Sequence, residues 1–121
     1  MERISDAEYA VMTVLWDTSP LTAQDVAERV PRERGWSVNT VKTLLSRLIA
    51  KKTIAHDEDG RRYLYRPLVL QADYVAVESR RWMDRLFGGK LTPLVAHLAE
   101  RGALSPDEIA EIEALLKGLK A

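Results

Sequence analysis

The chain has 121 residues, of which 46% are hydrophobic, so it can bury one core of ordinary size, or two small ones if a partner chain completes the second. Its formal net charge is zero, and the absence of cysteine excludes disulfides, thiolate metal sites and thiol redox sensing. No apolar run approaches the roughly 18 residues of a membrane span, and the N-terminal residues lack the pattern of a signal peptide, so we expect a cytoplasmic protein without membrane insertion.

Two helices are predicted ahead of residue 31. Ser5-Asp-Ala-Glu8 has capping-box spacing and opens the first helix, which carries apolar residues at helical spacing. Thr22 is the predicted N-cap of a second helix, which runs from Ala23 to about Val30 and stops at Pro31. Residues 31–36 are polar and contain a glycine, so they predict a linker that lets a third helix cross the second.

The stretch from Trp36 to Lys52 is the most informative of the chain. Ser37 is its predicted N-cap, and apolar residues recur at the spacing of a buried helix face, at Val41, Leu44, Leu45, Leu48 and Ile49. The opposite face carries hydrogen-bonding side chains where a surface helix usually carries Glu and Lys, namely Asn39, Thr43, Ser46 and Arg47. Such side chains can reach base edges in a DNA major groove, while arginines can reach phosphates.

A β-hairpin is predicted to follow this helix. Residues 53–56 form its first strand, Asp57 to Gly60 the turn, and Arg61 to Arg66 the second strand. Leu21-Thr22 could add a third short strand. The order helix, helix, helix, strand, strand predicts a winged helix-turn-helix domain over residues 1–69, mainly α with a small β-hairpin wing.

The charges are concentrated in one third of the chain. Residues 1–33 hold 3 Lys/Arg and 7 Asp/Glu, residues 34–66 hold 8 and 3, and residues 67–121 hold 7 and 8. The third helix and the hairpin therefore form the predicted basic region. Such a local field attracts a polyanion even though the whole chain is neutral.

Residues 70–121 predict three short amphipathic helices. The first begins near Leu70 and stops at Gly88-Gly89, the second begins at Thr92-Pro93, and the third begins at a Ser105-Pro-Asp-Glu108 capping box. Three such helices cannot bury enough apolar surface among themselves to form a stable hydrophobic core. We therefore expect them to bury their apolar faces against a second copy of the chain, as a helical dimerisation domain.

Several motifs in the chain occur together in one family of proteins: Ile4-Ser-Asp-Ala-Glu-Tyr-Ala-Val-Met-Thr-Val-Leu-Trp16, Pro20-Leu-Thr-Ala23, Trp36-Ser37 with Thr40-Val-Lys-Thr-Leu-Leu45 and Arg47-Leu48, Gly60-Arg61 with Tyr63 and Tyr65, and Leu86-Phe-Gly-Gly89. With them the chain resembles the penicillinase-repressor family, the BlaI/MecI-like transcriptional repressors, over almost its whole length. The resemblance implies a homodimer that binds an inverted-repeat operator overlapping a promoter, with the third helix in the major groove.

Carried over position by position, the resemblance implies DNA contacts from nine residues: Trp36, Ser37, Asn39, Thr40, Lys42, Thr43, Arg47, Arg61 and Arg62. The face analysis selects Asn39, Thr43 and Arg47 independently. It places Lys42 on the flank of the helix, where a phosphate contact is expected. For Trp36, packing of the linker onto the core is an equal alternative to a contact with the DNA backbone.

Dimer contacts are expected from eight residues of the C-terminal segment: Tyr74, Trp82, Leu86, Leu94, Leu98, Ile109, Ile112 and Leu116. In family members that control β-lactam resistance, a membrane sensor protease causes cleavage at an Asn-Phe bond in the helix after Gly-Gly. The matching position here is His97-Leu98, which departs from that pattern. The sequence leaves open whether release follows proteolysis or ligand binding.

Other functions fit these residues less well. The run from His56 to Asp59 offers oxygen ligands, but a hairpin directs these side chains apart and lacks calcium-loop spacing, so no metal is expected. An enzyme is disfavoured because two scattered histidines and no cysteine leave no group positioned for chemistry, and no cofactor is expected. A winged helix that docks a protein partner through the apolar C-terminal helices is the alternative to DNA binding.

Overall fold

The computed structural model describes residues 2–120, which form six α-helices, a 3-10 turn at Arg32–Arg34 and one two-stranded antiparallel sheet. The predicted fold class, mainly α with a β-hairpin wing, is confirmed. Along the chain the elements are α1 Asp6–Asp17, α2 Ala23–Arg29, α3 Val38–Ala50, β1 Ile54–Asp59, β2 Arg62–Pro67, α4 Gln71–Phe87, α5 Thr92–Glu100 and α6 Pro106–Lys120. None of these helices is both long and apolar enough to cross a membrane.

The helices begin where the capping residues predict. Ser5 Oγ accepts from the backbone N–H of Glu8, and the Glu8 carboxylate accepts from the backbone N–H of Ser5, so both bonds of the predicted capping box are present. Thr22 caps α2 and forms a second capping box with Asp25. Ser37 caps α3 as predicted. These bonds satisfy backbone donors that have no partner within the first helical turn.

The first three helices and the wing enclose one hydrophobic core. The inner face of α3 contributes Val41, Leu44, Leu45 and Leu48, which are buried as the helical spacing predicts. Each such side chain stabilises the fold by about 1.5–3 kcal/mol relative to its exposed state. The other buried apolar residues are Val11, Met12, Leu15, Leu21, Ala23, Val26, Val30, Ile54 and Tyr65.

The hairpin differs from the prediction in the position of its turn. β1 continues through Asp59, which pairs with Arg62, so only Gly60 and Arg61 remain in the turn. Gly60 has φ +66°, a conformation that favours glycine. The predicted third strand is a single bridge, in which Leu21 and Tyr65 exchange two backbone hydrogen bonds of 3.1 and 2.7 Å. This bridge fixes the base of the wing to the segment between α1 and α2.

The chain divides into two compact units, residues 2–75 and 76–120, so the division lies later than the predicted boundary after residue 69. The physical reason is an aromatic cluster on α1. Trp16 Nε1 donates to the Val69 carbonyl at 2.9 Å, and the Tyr74 ring lies 5.7–5.8 Å from the rings of Tyr9 and Trp16. Tyr74 is 6% exposed and packs within the first unit, so little of its side chain is free for the dimer contact that was expected of it.

The second unit contains the end of α4 together with α5 and α6. None of its described residues is fully buried, although Trp82 and Phe87 pack ring against ring at 5.4 Å. Its exposed large apolar side chains are Val77, Trp82, Leu86, Leu91, Ile109, Leu115, Leu116 and Leu119. A unit of this size without a buried core is expected to need another surface to cover these side chains.

Candidate nucleic-acid interface

The outer face of α3 presents a row of exposed polar side chains. Asn39, Thr43 and Arg47 follow one another at i, i+4 and i+8, and all three are exposed. The Thr43 hydroxyl donates to the Asn39 carbonyl at 3.1 Å. Its hydrogen is therefore used within the helix, which leaves the methyl group and an acceptor lone pair for an outside partner.

The first turn of α3 uses two predicted contact residues for its own cap. Ser37 Oγ accepts from the backbone N–H of Thr40 at 3.2 Å, and the two hydroxyl oxygens also lie 3.2 Å apart. Both side chains are exposed, so they adjoin the row formed by Asn39 and Thr43. Their local role is to fix where the helix begins.

Trp36 lies half-buried before the cap and packs against the core of the first unit. The guanidinium carbon of Arg34 lies 4.8 Å from the centre of its ring, which is a cation–π distance. This packing supports the alternative in which Trp36 holds the linker onto the core. Arg34 was not among the predicted site residues, and its only sequence signal is its position two residues before a tryptophan.

Three of the predicted cations line one groove. Lys42 of α3, Arg61 in the turn and Arg62 of β2 surround a groove of about 490 Å³ between the start of α2, α3 and the wing. Tyr63 and Tyr65 also line it. The structure thus brings together cations separated by about 20 residues of sequence, and cationic side chains of this kind can contact phosphates.

The wing itself is charge-balanced, contrary to the predicted basic hairpin. Residues 53–66 contain three arginines and three acidic residues, so the excess positive charge of residues 34–66 comes from the linker, α3 and the two lysines that follow α3. Two of the arginines form ion pairs across the hairpin: Arg62 with Asp59 at 2.9 Å and Arg66 with Asp57 at 3.1 Å. Among the described residues Arg61 forms no ion pair.

A buried ion pair anchors the far end of α3. Lys51, the C-cap residue, donates from Nζ to the Glu8 carboxylate at 2.6 Å and to the Arg3 carbonyl at 2.9 Å. Glu8 is 1% exposed. Burial raises the pKa of Glu8, but hydrogen bonds from Lys51 and Ser5, together with the charge of Lys51, outweigh burial and lower that pKa overall.

The C-terminal end of α3 is thus tied to the start of α1 through a charge pair. Sequence reasoning missed this pair because the two residues lie 43 positions apart. The Asp59–Arg62 pair had a signal, since a two-residue turn that begins with Gly60 places these residues opposite each other.

Comparison with known proteins decides the family. The family model described as penicillinase repressor matches residues 4–118. The chain belongs to the penicillinase repressor family. The penicillinase repressor of Bacillus licheniformis is 35% identical over 115 residues, which cover 95% of this chain and 90% of that protein. The methicillin resistance regulatory protein MecI of Mammaliicoccus sciuri is 32% identical over 113 residues, 93% of this chain and 92% of that protein.

Among the solved structures similar to part of this penicillinase repressor family member is the solution structure of the monomeric form of Bacillus licheniformis BlaI in complex with the blaP half-operator. It is 37% identical, covers 60% of this chain and 89% of that chain, and superposes with a TM-score of 0.51.

Within residues 2–120 the chain has no group of three His, Cys, Asp or Glu side chains that could hold a metal ion.

Proposed function

We propose that this protein is a DNA-binding transcriptional repressor that acts as a homodimer on a palindromic operator. The observation that carries the proposal is the exposed polar row on α3, next to a groove lined by three cations, in a member of the penicillinase repressor family. The similarity to BlaI in complex with a half-operator supports one half-site per protomer. Repression then requires occupancy of DNA in the cytoplasm and no catalysis.

The roles of the side chains follow from their positions. Asn39, Thr43 and Arg47 read base edges in the major groove, since they share the outer face of α3. Lys42, Arg61 and Arg62 contact phosphates, since they line one groove beside that face. Ser37, Thr40 and Trp36 position the start of the helix at the DNA surface.

The second unit supplies the dimer contacts. Its exposed apolar side chains on α4 and α6 include four of the expected residues, Trp82, Leu86, Ile109 and Leu116. Leu94, Leu98 and Ile112 are partly buried within their own chain, so they contribute less free surface. In a symmetric dimer the half-sites should lie about one helical turn apart, roughly 10 base pairs, or a multiple of it.

The first test is protection of DNA and its dependence on the outer face of α3. The purified protein should protect a palindromic segment of its own promoter. Replacing Asn39 or Thr43 with Ala should weaken binding to that segment by about 1–3 kcal/mol and leave binding to random DNA unchanged. Thr13→Ala is the matched control, because Thr13 on α1 makes the same bond to the carbonyl four residues earlier. Equal losses on both DNAs would contradict base reading by these residues.

The second test concerns the phosphate contact of Arg61. Replacing Arg61 with Ala should weaken binding to every sequence and reduce the slope of log affinity against log salt by about 0.9, the value for one phosphate. Fluorescence anisotropy over a salt series measures both quantities. Arg101→Ala, at an exposed position after α5, removes the same charge from the second unit and should leave the slope unchanged. An altered sequence preference at constant slope would rule out the phosphate role.

Release from the operator is proposed to involve a membrane sensor protease, with ligand binding as the alternative route. The expected cleavage position, His97–Leu98, lies inside α5. Its backbone carbonyls accept hydrogen bonds from Arg101 and Ala103, so the helix end must open locally before the bond becomes accessible. A gene for a membrane metalloprotease with a sensor domain next to the repressor gene would favour proteolysis.

A further inference from the structure

We infer that Asp57 and Asp59 set how strongly the protein discriminates its operator from other DNA, by holding Arg62 and Arg66 in ion pairs within the wing. The inference rests on the proposed function, because it assigns a role to residues beside the proposed phosphate contacts. From the sequence alone, Asp57 and Asp59 were predicted as turn residues.

The strand register places the two ion pairs on one face of the wing. Residues that alternate along a strand share a face, and Asp59 lies opposite Arg62 while Ala55 lies opposite Arg66. Asp57 and Asp59 therefore share a face with both arginines. The other face carries an aromatic stack, in which the rings of His56 and Tyr63 lie 4.4 Å apart. Both ion pairs thus lie on one side of the wing, where Arg62 and Arg66 each have an aspartate of β1 within reach.

The contacts themselves are close but exposed. Both Nε and one terminal nitrogen of Arg62 donate to the same Asp59 oxygen, at 3.1 and 2.9 Å. Arg66 Nε donates to Asp57 at 3.1 Å. In these pairs the side chains are 48–64% exposed, so water screens the attraction and a phosphate can replace the carboxylate. A phosphate replaces the carboxylate only if the DNA holds that phosphate next to the arginine.

Operator and random DNA differ in how they meet that requirement. On the operator, base contacts from α3 fix the duplex in one register, so phosphates stay beside the wing and compete with the aspartates. On random DNA no register is fixed, and binding depends on the number of phosphates neutralised. An arginine that remains paired with its aspartate neutralises no phosphate on random DNA and so adds nothing to the affinity. The ion pairs thus lower non-specific affinity more than operator affinity.

The simpler alternative is that the pairs only stabilise the hairpin, and that any acidic residue in the wing repels DNA equally. Glu58 separates these explanations. It lies between the two aspartates on β1, opposite Tyr63, and is exposed. Among the described residues it forms no ion pair with an arginine. Glu58→Gln therefore removes one negative charge from the same strand without releasing an arginine.

The experiment compares Asp59→Asn with Glu58→Gln on two duplexes of equal length, one carrying the protected promoter segment and one random. Asp59→Asn should raise affinity for the random duplex more than for the promoter duplex, and steepen the salt slope on random DNA by about 0.9. The Asp57→Asn/Asp59→Asn double variant should steepen it by about 1.8, since two arginines are released. Glu58→Gln should leave the slope unchanged.

A second variant confirms the partner. Adding Arg62→Ala to Asp59→Asn should return the slope on random DNA to that of the wild type, because no released arginine remains. Thermal melting checks that each variant is folded. If Asp59→Asn and Glu58→Gln act alike, the inference fails while the proposed function stands. If the wild-type protein does not prefer the promoter duplex, the proposed function itself fails.

Discussion

Replacing Lys51 with Met should lower the free energy of unfolding by about 3 kcal/mol, near the lower end of the range for a broken buried ion pair. The Glu8 carboxylate, 1% exposed, would lose the ammonium group that lies 2.6 Å away and would keep its charge without a cationic partner. The side chain of Lys51 is 27% exposed, so water can reach the site and limit the loss. Urea unfolding followed by circular dichroism measures the change.

Two controls separate the ion pair from other effects at this position. Lys52→Met alters the neighbouring lysine, which is exposed and has positive φ, and it should change stability by less than about 0.5 kcal/mol. Glu8→Gln combined with Lys51→Met removes both charges and should recover much of the loss. If Lys51→Met alone unfolds at the wild-type urea concentration, the pair does not stabilise the fold.

The dependence of stability on pH gives a second measure of the same pair. Because the pKa of Glu8 is lowered in the folded protein, its contribution is fully present above the ordinary carboxyl pKa and is lost as the pH falls through the folded value. The Lys51→Met protein lacks the hydrogen bond and the charge from Lys51 that lower this pKa. The pKa of Glu8 should therefore be lowered less on folding, and the variant should lose less stability than the wild type when the pH falls from neutral to acid.

The second large effect is expected at the proposed dimer contact. Replacing Leu116, which is 51% exposed on α6, with Asp should convert the proposed dimer to monomers, because the carboxylate would have to be buried in the apolar contact. Loss of linked half-site binding should then reduce apparent operator affinity by about 10²–10⁴-fold. Sedimentation velocity gives the oligomeric state, and titration of operator DNA gives the affinity.

A carboxylate on the other side of α6 serves as the control. At 100° per residue, Ala114 lies away from the face formed by Ile109, Ile112 and Leu116. Ala114→Asp should remain dimeric and bind the operator as the wild type does. A Leu116→Asp protein that is still dimeric and binds with unchanged affinity would show that this face of α6 is not the dimer contact.

Local features of the fold could be predicted from sequence because their causes are local. Ser5, Thr22 and Ser37 each lie three residues before the N–H that they accept, so the caps are visible as spacing. The buried face of α3 follows from helical periodicity alone. The exposed polar row on its other side is then a direct consequence of the same periodicity.

Features set by tertiary contacts could not be predicted in this way. The Glu8–Lys51 pair depends on how α1 crosses the end of α3, which no spacing encodes. Tyr74 has the apolar character of a dimer contact, but the cluster with Tyr9 and Trp16 places it in the first unit. The hairpin turn was predicted too long, and the resulting register concealed the pairing of Asp59 with Arg62.

The Leu21–Tyr65 bridge affects which part of the wing can change during evolution. Two backbone hydrogen bonds hold the base of the wing, and backbone bonds are indifferent to side-chain identity. The tip at Gly60 and Arg61 is exposed and bears no part of the core. Loop tips of this kind tolerate substitution and insertion at small thermodynamic cost. Descendants of one ancestral gene can therefore acquire wing tips with other phosphate contacts, and with them other affinities for DNA, while inheriting the same folded domain.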